Sequence, residues 1–157
     1  RYFDAEANES YIPYVVETSI GLDRLFLLVM SESLKEEEVN EDTRTVLKIP
    51  PALAPIKCAI LPLVKKDGLP ELAQKIYEDL RFDFNTFIED KDSIGKRYRR
   101  MDAIGTPFCV TVDHESLTQN DVTIRFRDTM EQKRVSIDSL REIIENETSM
   151  KKLLKSI

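Results

Sequence analysis

Residues 92–113 read DSIGKRYRRMDAIGTPFCVTVD and join a basic helix to an apolar strand. Ser93 or Asp92 can cap the helix, which is predicted over 94–103. A Gly-Thr-Pro turn then leads into a run of apolar and β-branched residues, for which a strand is predicted over 108–112. A helix followed at once by an apolar strand is typical of a sheet with helices packed on its faces.

The same alternation continues on both sides of this segment. Strands are predicted before it over 56–61 and 84–88, and between them lies a helix that Pro70 opens and that ends at Leu80. After it come a hairpin with strands over 122–127 and 133–135, a helix that starts at Ser136 and a short terminal helix over 149–157. The order βαβαβ followed by ββα predicts a three-layer α/β domain, with a partly parallel sheet and a hairpin at one side.

The first third of the chain has a different pattern. A short strand is predicted over 14–17, followed by a turn and by a helix with one buried face. The apolar residues that define this face are Leu22, Leu25, Phe26, Val29 and Met30. The charged run over 33–45 is predicted to be a solvated connector.

Charge separates the same two regions. The 157 residues carry 23 basic and 29 acidic side chains, which gives a net charge of −6. Residues 1–50 hold five of the basic and eleven of the acidic side chains, so they account for the whole excess. Prolines at positions 50, 51 and 55 mark the boundary, and the remainder is neutral overall. The acidic total therefore does not exclude a polyanionic partner for the second region.

Composition and cysteine usage limit the class of protein. An apolar content of 41% with 33% charged residues is typical of a folded domain, and the longest apolar run is too short for a membrane span. Cys58 and Cys109 lie in strand-like runs and are predicted to be buried thiols, while His114 is predicted to be a turn residue. No metal site and no membrane association are expected, and the compartment is predicted to be cytoplasmic.

Glu17, Ser19, Gly21 and Arg24 form a first candidate site. Glu17 and Ser19 lie two residues apart where the predicted strand ends, and in extended backbone this spacing points both side chains to one face. Gly21 permits close approach of a ligand, and Arg24 carries a guanidinium group suited to a phosphate or a planar ring. This set suits a small amine beside a nucleotide. The spacing is also compatible with a surface strand on which Arg24 pairs with Glu17 or Asp23.

The basic helix over 94–103 is a second candidate site, for contact with RNA. Lys96, Arg99 and Arg100 can share one stripe of this helix. Arg97 and Tyr98 lie among them, and an aromatic ring between arginines suits stacking on unpaired bases. The alternative is a solvated helix face whose basic side chains pair with the aspartates at positions 90, 92 and 102.

The first strand of the predicted hairpin is a third candidate. Alternation places Arg125 and Arg127 on one face and Ile124 and Phe126 on the other. Two arginines that project from a sheet would form a platform for phosphates, continuous with the basic helix. The alternative is an exposed edge strand that is protected by its charges.

Four blocks of the sequence resemble one known family. Residues 17–24, ETSIGLDR, resemble motif 3 of class II aminoacyl-tRNA synthetases, and the Glu-x-Ser spacing before Gly-Leu-Asp-Arg-Leu-Phe is similar to the homodimeric glycyl-tRNA synthetases. The other three blocks resemble the C-terminal anticodon-binding domain of that family: LKIPPALAPIKCAILPLVKKDGLPELA, DSIGKRYRRMDAIGTPFCVTVD and VTIRFRDTMEQKRV. The blocks occur in the family's order and span nearly the whole chain.

The resemblance implies an activity and a role for particular residues. It implies ATP-dependent attachment of glycine to its tRNA by a homodimer, with Mg²⁺ accompanying the ATP. Arg24 would bind ATP, while Glu17 and Ser19 would hold the glycine ammonium group. The implied C-terminal domain is a mixed five-stranded sheet flanked by helices that binds the anticodon loop. The residues chosen for tRNA contact, on charge alone, are Lys96, Arg97, Arg99, Arg100, Arg125 and Arg127.

The resemblance also predicts a domain plan. Residues 1–34 would be the end of the catalytic domain, 35–50 a linker, and 51–157 the anticodon-binding domain. Motifs 1 and 2 of the family are absent, so the chain is expected to be the tail of a longer enzyme and to be inactive alone. Two alternatives stay open. One is an accessory nucleic-acid-binding protein on the same fold, and the other is a threonyl, prolyl or histidyl member of the subclass.

Overall fold

The computed structural model describes residues 1–39 and 42–155. Its first element is a hairpin of two short antiparallel strands, β1 Tyr2–Asp4 and β2 Glu9–Tyr11. Residues 12–21 have no regular secondary structure, so the strand predicted over 14–17 is wrong. Val15 and Val16 are exposed and have no neighbouring strand to pair with in the described ranges, and β-branched residues do not form a strand without one.

Helix α1 spans Leu22–Ser33, and most of the face that was predicted to be buried is exposed. Leu22, Leu25 and Phe26 face solvent. Val29 and Met30 alone of this face pack against a buried cluster, in the part of the chain that the structure describes. That cluster consists of Leu47, Ile49 and Ala54.

A hairpin occupies most of the segment that was predicted to be a solvated connector and linker. Its strands are β3 Leu34–Val39 and β4 Asp42–Leu47, which pair antiparallel. Arg44, Val46 and Leu47 are buried, whereas the glutamates and threonines around them are mostly exposed. The charged run therefore concealed a strand pair with one covered face, and the prediction of a solvated connector is wrong.

A mixed five-stranded sheet forms the centre of the remaining chain, as the sequence predicted. Its strands are β5 Cys58–Pro62, β6 Thr86–Ile88, β7 Phe108–Val112, β8 Asp121–Phe126 and β9 Gln132–Ser136. Their order is β6-β5-β7-β8-β9. β5 is parallel to both of its neighbours, and β8 is antiparallel to β7 and β9. Parallel neighbours need crossover connections, which the helices between them provide.

Four helices lie close to the predicted positions, and they are α2 Leu69–Leu80, α3 Ile94–Ala103, α5 Leu140–Thr148 and α6 Met150–Lys155. A 3₁₀ turn at Ile137–Ser139 precedes α5, and the single turn α4 Ser116–Gln119 was not predicted. The last predicted helix was to reach residue 157, and its final two residues lie outside the described part of the chain. In that part, no helix is both long enough and apolar enough to cross a membrane.

Helices cover both faces of the sheet. We call the face under α2 and α5 the first face, and its buried residues are Cys58, Ile60, Phe108, Val110, Val112, Val122 and Ile124. The second face is covered by α3 and contains Ala59, Leu61 and Cys109. Because β5 and β7 are buried on both faces, their sequences are continuous apolar runs rather than alternating ones.

Gly105 turns the chain from α3 towards β7. Its φ is +81°, and a Cβ at this position would lie 2.9 Å from Cγ2 of Ile49 and 3.1 Å from the carbonyl oxygen of Leu47. Glycine is the residue that tolerates both the positive φ and this close approach. The turn thus holds the end of α3 directly against the segment that follows β4.

Candidate RNA-binding surface

Helix α3 presents a basic surface because its apolar side packs on the second face of the sheet. Ile94, Tyr98 and Met101 recur at helical spacing, and all three contact the cluster on that face. Ser93 occupies the N-cap position in an extended conformation, although its side chain makes no capping hydrogen bond. The outward side of the helix is left to its charged residues.

Lys96, Arg99 and Arg100 lie on that outward side. Lys96 is exposed and makes no hydrogen bond or ion pair within residues 1–39 and 42–155. Arg99 lies 3.1 Å from the Asp42 carboxylate, and its side chain is 38% exposed. The alternative of a solvated helix face with paired charges therefore holds in part, since carboxylates bind Arg99 and Arg100 but not Lys96 within the described residues. Contact of this face with RNA stays a prediction.

Arg100 is the most strongly bound of the three. Its guanidinium nitrogens lie 2.9 Å from a carboxylate oxygen of Glu89 and 2.9 Å from one of Asp92. The hydrogen bond with Glu89, together with that of Asp92, raises the pKa of Arg100. Arg100 in turn lowers the pKa of Asp92. The Arg100 side chain is still 39% exposed, so it remains within reach of a phosphate.

Arg97 does not belong to the outward surface. It is 1% exposed, and it donates to the carbonyl oxygens of Pro62 at 2.7 Å, Glu89 at 3.1 Å and Leu63 at 3.2 Å. Burial lowers the pKa of Arg97. These carbonyls lie at or just beyond the ends of β5 and β6, so Arg97 ties α3 to the sheet instead of facing a ligand.

Arg125 and Arg127 do not form the predicted platform, because both are buried. Arg125 donates two hydrogen bonds to the Asp102 carboxylate, at 2.8 and 3.0 Å. Arg127 donates to the carbonyl oxygens of Gly105 and Ile49, each at 2.8 Å. Alternation in β8 identifies which residues share a face, but it does not reveal that α3 and the segment after β4 cover that face.

Asp102 is the centre of a buried ion cluster, which consists of Arg44, Asp102 and Arg125. Arg44 Nε donates to Asp102 at 2.9 Å, and Arg44 also binds Glu37 at 2.9 Å and the backbone oxygen of Arg127. Burial by itself would lower the pKa of Arg125, but the hydrogen bonds to Asp102 and the attraction of the Asp102 charge, with smaller contributions from Cys109 and Tyr98, together raise it. The cluster joins β4, α3 and β8.

Tyr98 makes its contacts in the same region. Its hydroxyl lies 2.6 Å from Oγ1 of Thr111, and the guanidinium carbon of Arg125 lies 4.8 Å from the centre of its ring. Burial raises the pKa of Tyr98. The hydroxyl and the ring of Tyr98 are therefore both in contact with other side chains, and the prediction that the ring is free to stack on a base is wrong.

A polar group on β9 and its neighbours was missed by the sequence analysis. Arg134 donates to the carboxylates of Asp121 at 2.6 Å and Asp113 at 3.0 Å, and to Oγ1 of Thr123 at 3.2 Å. These hydrogen bonds raise the pKa of Arg134, and Arg134 lowers that of Asp113. The pairing of Thr123 with Arg134 depends on the register between β8 and β9, which the sequence does not reveal.

The first candidate site is not assembled by the described residues. Glu17, Ser19 and Arg24 are all exposed, and none makes a hydrogen bond or ion pair in the described part of the chain. Gly21 has a φ of −74°. A Cβ on Gly21 would meet only the Arg24 side chain, at 3.8 Å, so this backbone does not require glycine. These residues do not enclose a pocket that fits ATP, Mg²⁺ or an amino acid.

Cys58 and Cys109 are free and buried, as predicted. Burial raises the pKa of both thiols, that of Cys109 to about 12, so neither is a reactive thiolate at neutral pH. His114 lies in the loop after β7 with its Nε2 3.0 Å from the Asp67 carboxylate. Within the described ranges, no three ligating side chains are placed to hold a metal ion.

Residues 57–147 match the family model of the anticodon binding domain. This range contains all five strands of the sheet, both crossover helices and nearly all of α5. The chain belongs to the anticodon-binding domain family. Its α3 surface, the buried ion cluster's Asp102 and Arg125, and the Arg134 group all lie inside the matched range. Arg44 lies outside this range, although it is bonded to Asp102 within it.

Curated relatives extend the similarity beyond this domain. The chain is 50% identical over 148 residues to a glycine–tRNA ligase of Borrelia hermsii, covering 94% of this chain and 33% of that protein. It is 51% identical over 144 residues to a glycine–tRNA ligase of Rhodopirellula baltica, covering 88% and 27%. A third, from Lachnoclostridium phytofermentans, is 52% identical over 145 residues, covering 92% and 31%. The chain thus spans about a third of the length of these relatives.

A solved structure has a similar fold. It is the RNA-binding domain of a threonyl-tRNA synthetase from Cryptosporidium parvum, with a TM-score of 0.58 and 21% sequence identity. The similarity covers 64% of this chain and 25% of that one. At this level of identity the comparison supports the fold of the anticodon-binding domain, the mixed sheet flanked by helices.

Proposed function

We propose that this chain is the C-terminal part of a glycine–tRNA ligase and that its anticodon-binding domain binds the anticodon region of the tRNA for glycine. The observation that carries the proposal is that the family match covers the whole sheet together with α3. Relatives about 50% identical along nearly the whole chain support glycine over threonine, proline or histidine as the amino acid. Their similarity extends into residues 1–50, which supports a ligase over an accessory RNA-binding protein.

The outward side of α3 is the surface that we propose for RNA. Lys96 makes no ion pair within the described residues, and the sheet holds its helix rigidly. A phosphate can therefore pair with Lys96 without breaking an existing ion pair. Arg99 would exchange Asp42, whose side chain is 74% exposed, for a phosphate. Arg100 would keep Glu89 and exchange Asp92, because the Glu89 partner is the more buried of the two.

The activity proposed for the whole protein is ATP-dependent attachment of glycine to tRNA, in the cytoplasm and by a homodimer. In that protein Arg24 would bind ATP, and Glu17 and Ser19 would hold the glycine ammonium group. Their exposure in this chain supports the proposal that the chain alone does not activate glycine, since nothing encloses a ligand there. ATP–pyrophosphate exchange by the chain above background would contradict this.

A charge reversal on α3 tests the RNA surface. We expect Lys96→Glu to weaken binding of glycine tRNA and to reduce the slope of log affinity against log salt by about 0.7 or more, because one phosphate contact is lost. Lys151→Glu is the matched control, since Lys151 is an exposed lysine of α6, a helix that packs on α5. Affinity and slope are measured by filter binding at several salt concentrations.

The control separates a local contact from a change in net charge, which is identical in the two variants. Lys151→Glu should leave the salt slope unchanged. If both variants weaken binding equally, the effect belongs to the net charge, and α3 is not the RNA surface.

A further inference from the structure

Phe82 is far more exposed than any other large apolar side chain between positions 51 and 150. Its exposed fraction is 82%, whereas the next highest in this range is 45%. The ring lies just beyond the last residue of α2, in the loop that leads to β6. A ring this exposed has most of its surface open to a planar ligand.

Phe82 lies at the rim of an open concavity of about 550 Å³. The guanidinium carbon of Arg81 lies 5.6 Å from the centre of the Phe82 ring and 5.8 Å from that of Tyr77. Asn85 and Thr86 line the same concavity. We call it the Phe82 concavity. Its walls combine planar stacking surfaces with hydrogen-bonding groups.

Two of those hydrogen-bonding groups are incompletely used by the protein. Asn85 donates its Nδ2 to the carbonyl oxygen of Pro55 at 2.6 Å, which fixes the amide and leaves its Oδ1 without a donor among the described residues. Thr86 is 9% exposed, and its buried Oγ1 has no hydrogen-bond partner within the same residues. A purely apolar occupant would leave both groups unmet, which is unfavourable.

We propose that the Phe82 concavity binds an unpaired nucleobase of single-stranded RNA. The base stacks on Phe82 beside Arg81, and an amino or imino group on its edge donates to Asn85 Oδ1. Aromatic and guanidinium planes accept any base, which makes such contacts tolerant of sequence. The inference takes RNA as the partner from the proposed function. It adds a contact that is separate from the α3 surface, because the concavity is formed by the end of α2 and the start of β6.

The absence of tryptophan from the sequence gives a direct test. Phe82→Trp places the chain's single tryptophan in the concavity, where a stacked base quenches its fluorescence. We expect saturable quenching when the whole chain is titrated with an eight-nucleotide oligocytidine, and no quenching with a blunt RNA duplex of equal length. Leu117→Trp is the matched control, since Leu117 is 45% exposed on α4 and distant from α2's last turn in sequence. Its fluorescence should not change.

Affinity measurements complete the test. Phe82→Ala should weaken oligocytidine binding about fivefold or more, and Phe82→Tyr, which keeps the ring, should restore it. The proposal is overturned if the Phe82→Trp variant is not quenched, or if the duplex quenches it equally. It is also overturned if the fluorescence changes with protein concentration alone, which would indicate that a second copy of the chain binds there. If Lys96→Glu weakens tRNA binding while the Phe82→Trp variant is not quenched, the α3 surface stands and this inference fails.

Discussion

Four arginines among the described residues are at most 6% exposed, and their partners explain why each is tolerated. Arg97 binds backbone carbonyls. Arg127 binds two backbone carbonyls and the Asp128 carboxylate, whereas Arg44 and Arg125 share the Asp102 carboxylate. Removing a guanidinium group from water is costly, and hydrogen bonds of good geometry offset that cost. A cation inside the protein therefore belongs to the fold, and the cations left for RNA are those on the outward side of α3.

Among single residues, Asp102 should be the one whose loss lowers the free energy of unfolding most. Replacing it by alanine leaves Arg44 and Arg125 buried without their shared carboxylate, so we expect Asp102→Ala to lower the free energy of unfolding by about 3–5 kcal/mol. Urea denaturation followed by circular dichroism measures this. Asp90→Ala is the control, because Asp90 forms an exposed pair with Lys65, and its loss should cost about 1 kcal/mol or less. Equal losses of unfolding free energy in the two variants would show that the buried ion cluster contributes no more to stability than an exposed ion pair.

The sequence reveals charge but not burial, and this limited the prediction of site residues. Lys96 could be assigned correctly to an outward stripe, because helical spacing alone places it there. Arg125 and Arg127 could not be assigned, since their face of β8 is covered by elements from distant parts of the chain. The partner of Arg134 depends on strand register in the same way.

At the scale of elements, the helices and strands from residue 56 onward follow the predicted order because their periodicity and turn residues agree with the fold. In the first third, helix α1 forms where a helix was predicted, but most of its apolar face is exposed and residues 12–21 form no strand. The β3–β4 hairpin could not be predicted because its composition is that of a solvated segment. Arg44 binds Asp102 of α3 and the backbone oxygen of Arg127, just after β8, and Leu47 packs with Ile49 and Ala54. Only such tertiary contacts reveal that the segment packs against the rest of the chain.

The hairpin should therefore be needed for the stability of the anticodon-binding domain. A chain that begins at Leu34 keeps the bond of Arg44 to Asp102 and the contact of Leu47 and Ile49 with Gly105, and it loses only the packing of Val29 and Met30 on that cluster, so we expect it to unfold at a slightly lower urea concentration than the whole chain. A chain that begins at Pro51 loses all of these contacts and should unfold at a clearly lower concentration. Equal midpoints for the two shortened chains would favour residues 35–50 as a linker.

At the scale of the whole molecule, the net negative charge and the proposed RNA contact lie in different parts of the chain. The acidic excess belongs to residues 1–50, where Glu37 binds Arg44 and Lys48 of the same region and Asp42 binds Arg99 of α3. The sheet has helices on both faces, and α3 leaves only a limited cationic surface outside. An overall charge of −6 is therefore compatible with an RNA partner, because the proposed contact is local.

The most direct test of the account is a comparison of two halves of the same tRNA. The affinity of the whole chain is measured for the anticodon stem-loop of glycine tRNA and for a minihelix that contains its acceptor stem, at one salt concentration. If this domain binds the anticodon region, the stem-loop binds and the minihelix binds at least tenfold more weakly, a difference of about 1.4 kcal/mol. Equal affinities, or tighter binding of the acceptor minihelix, would contradict the proposal.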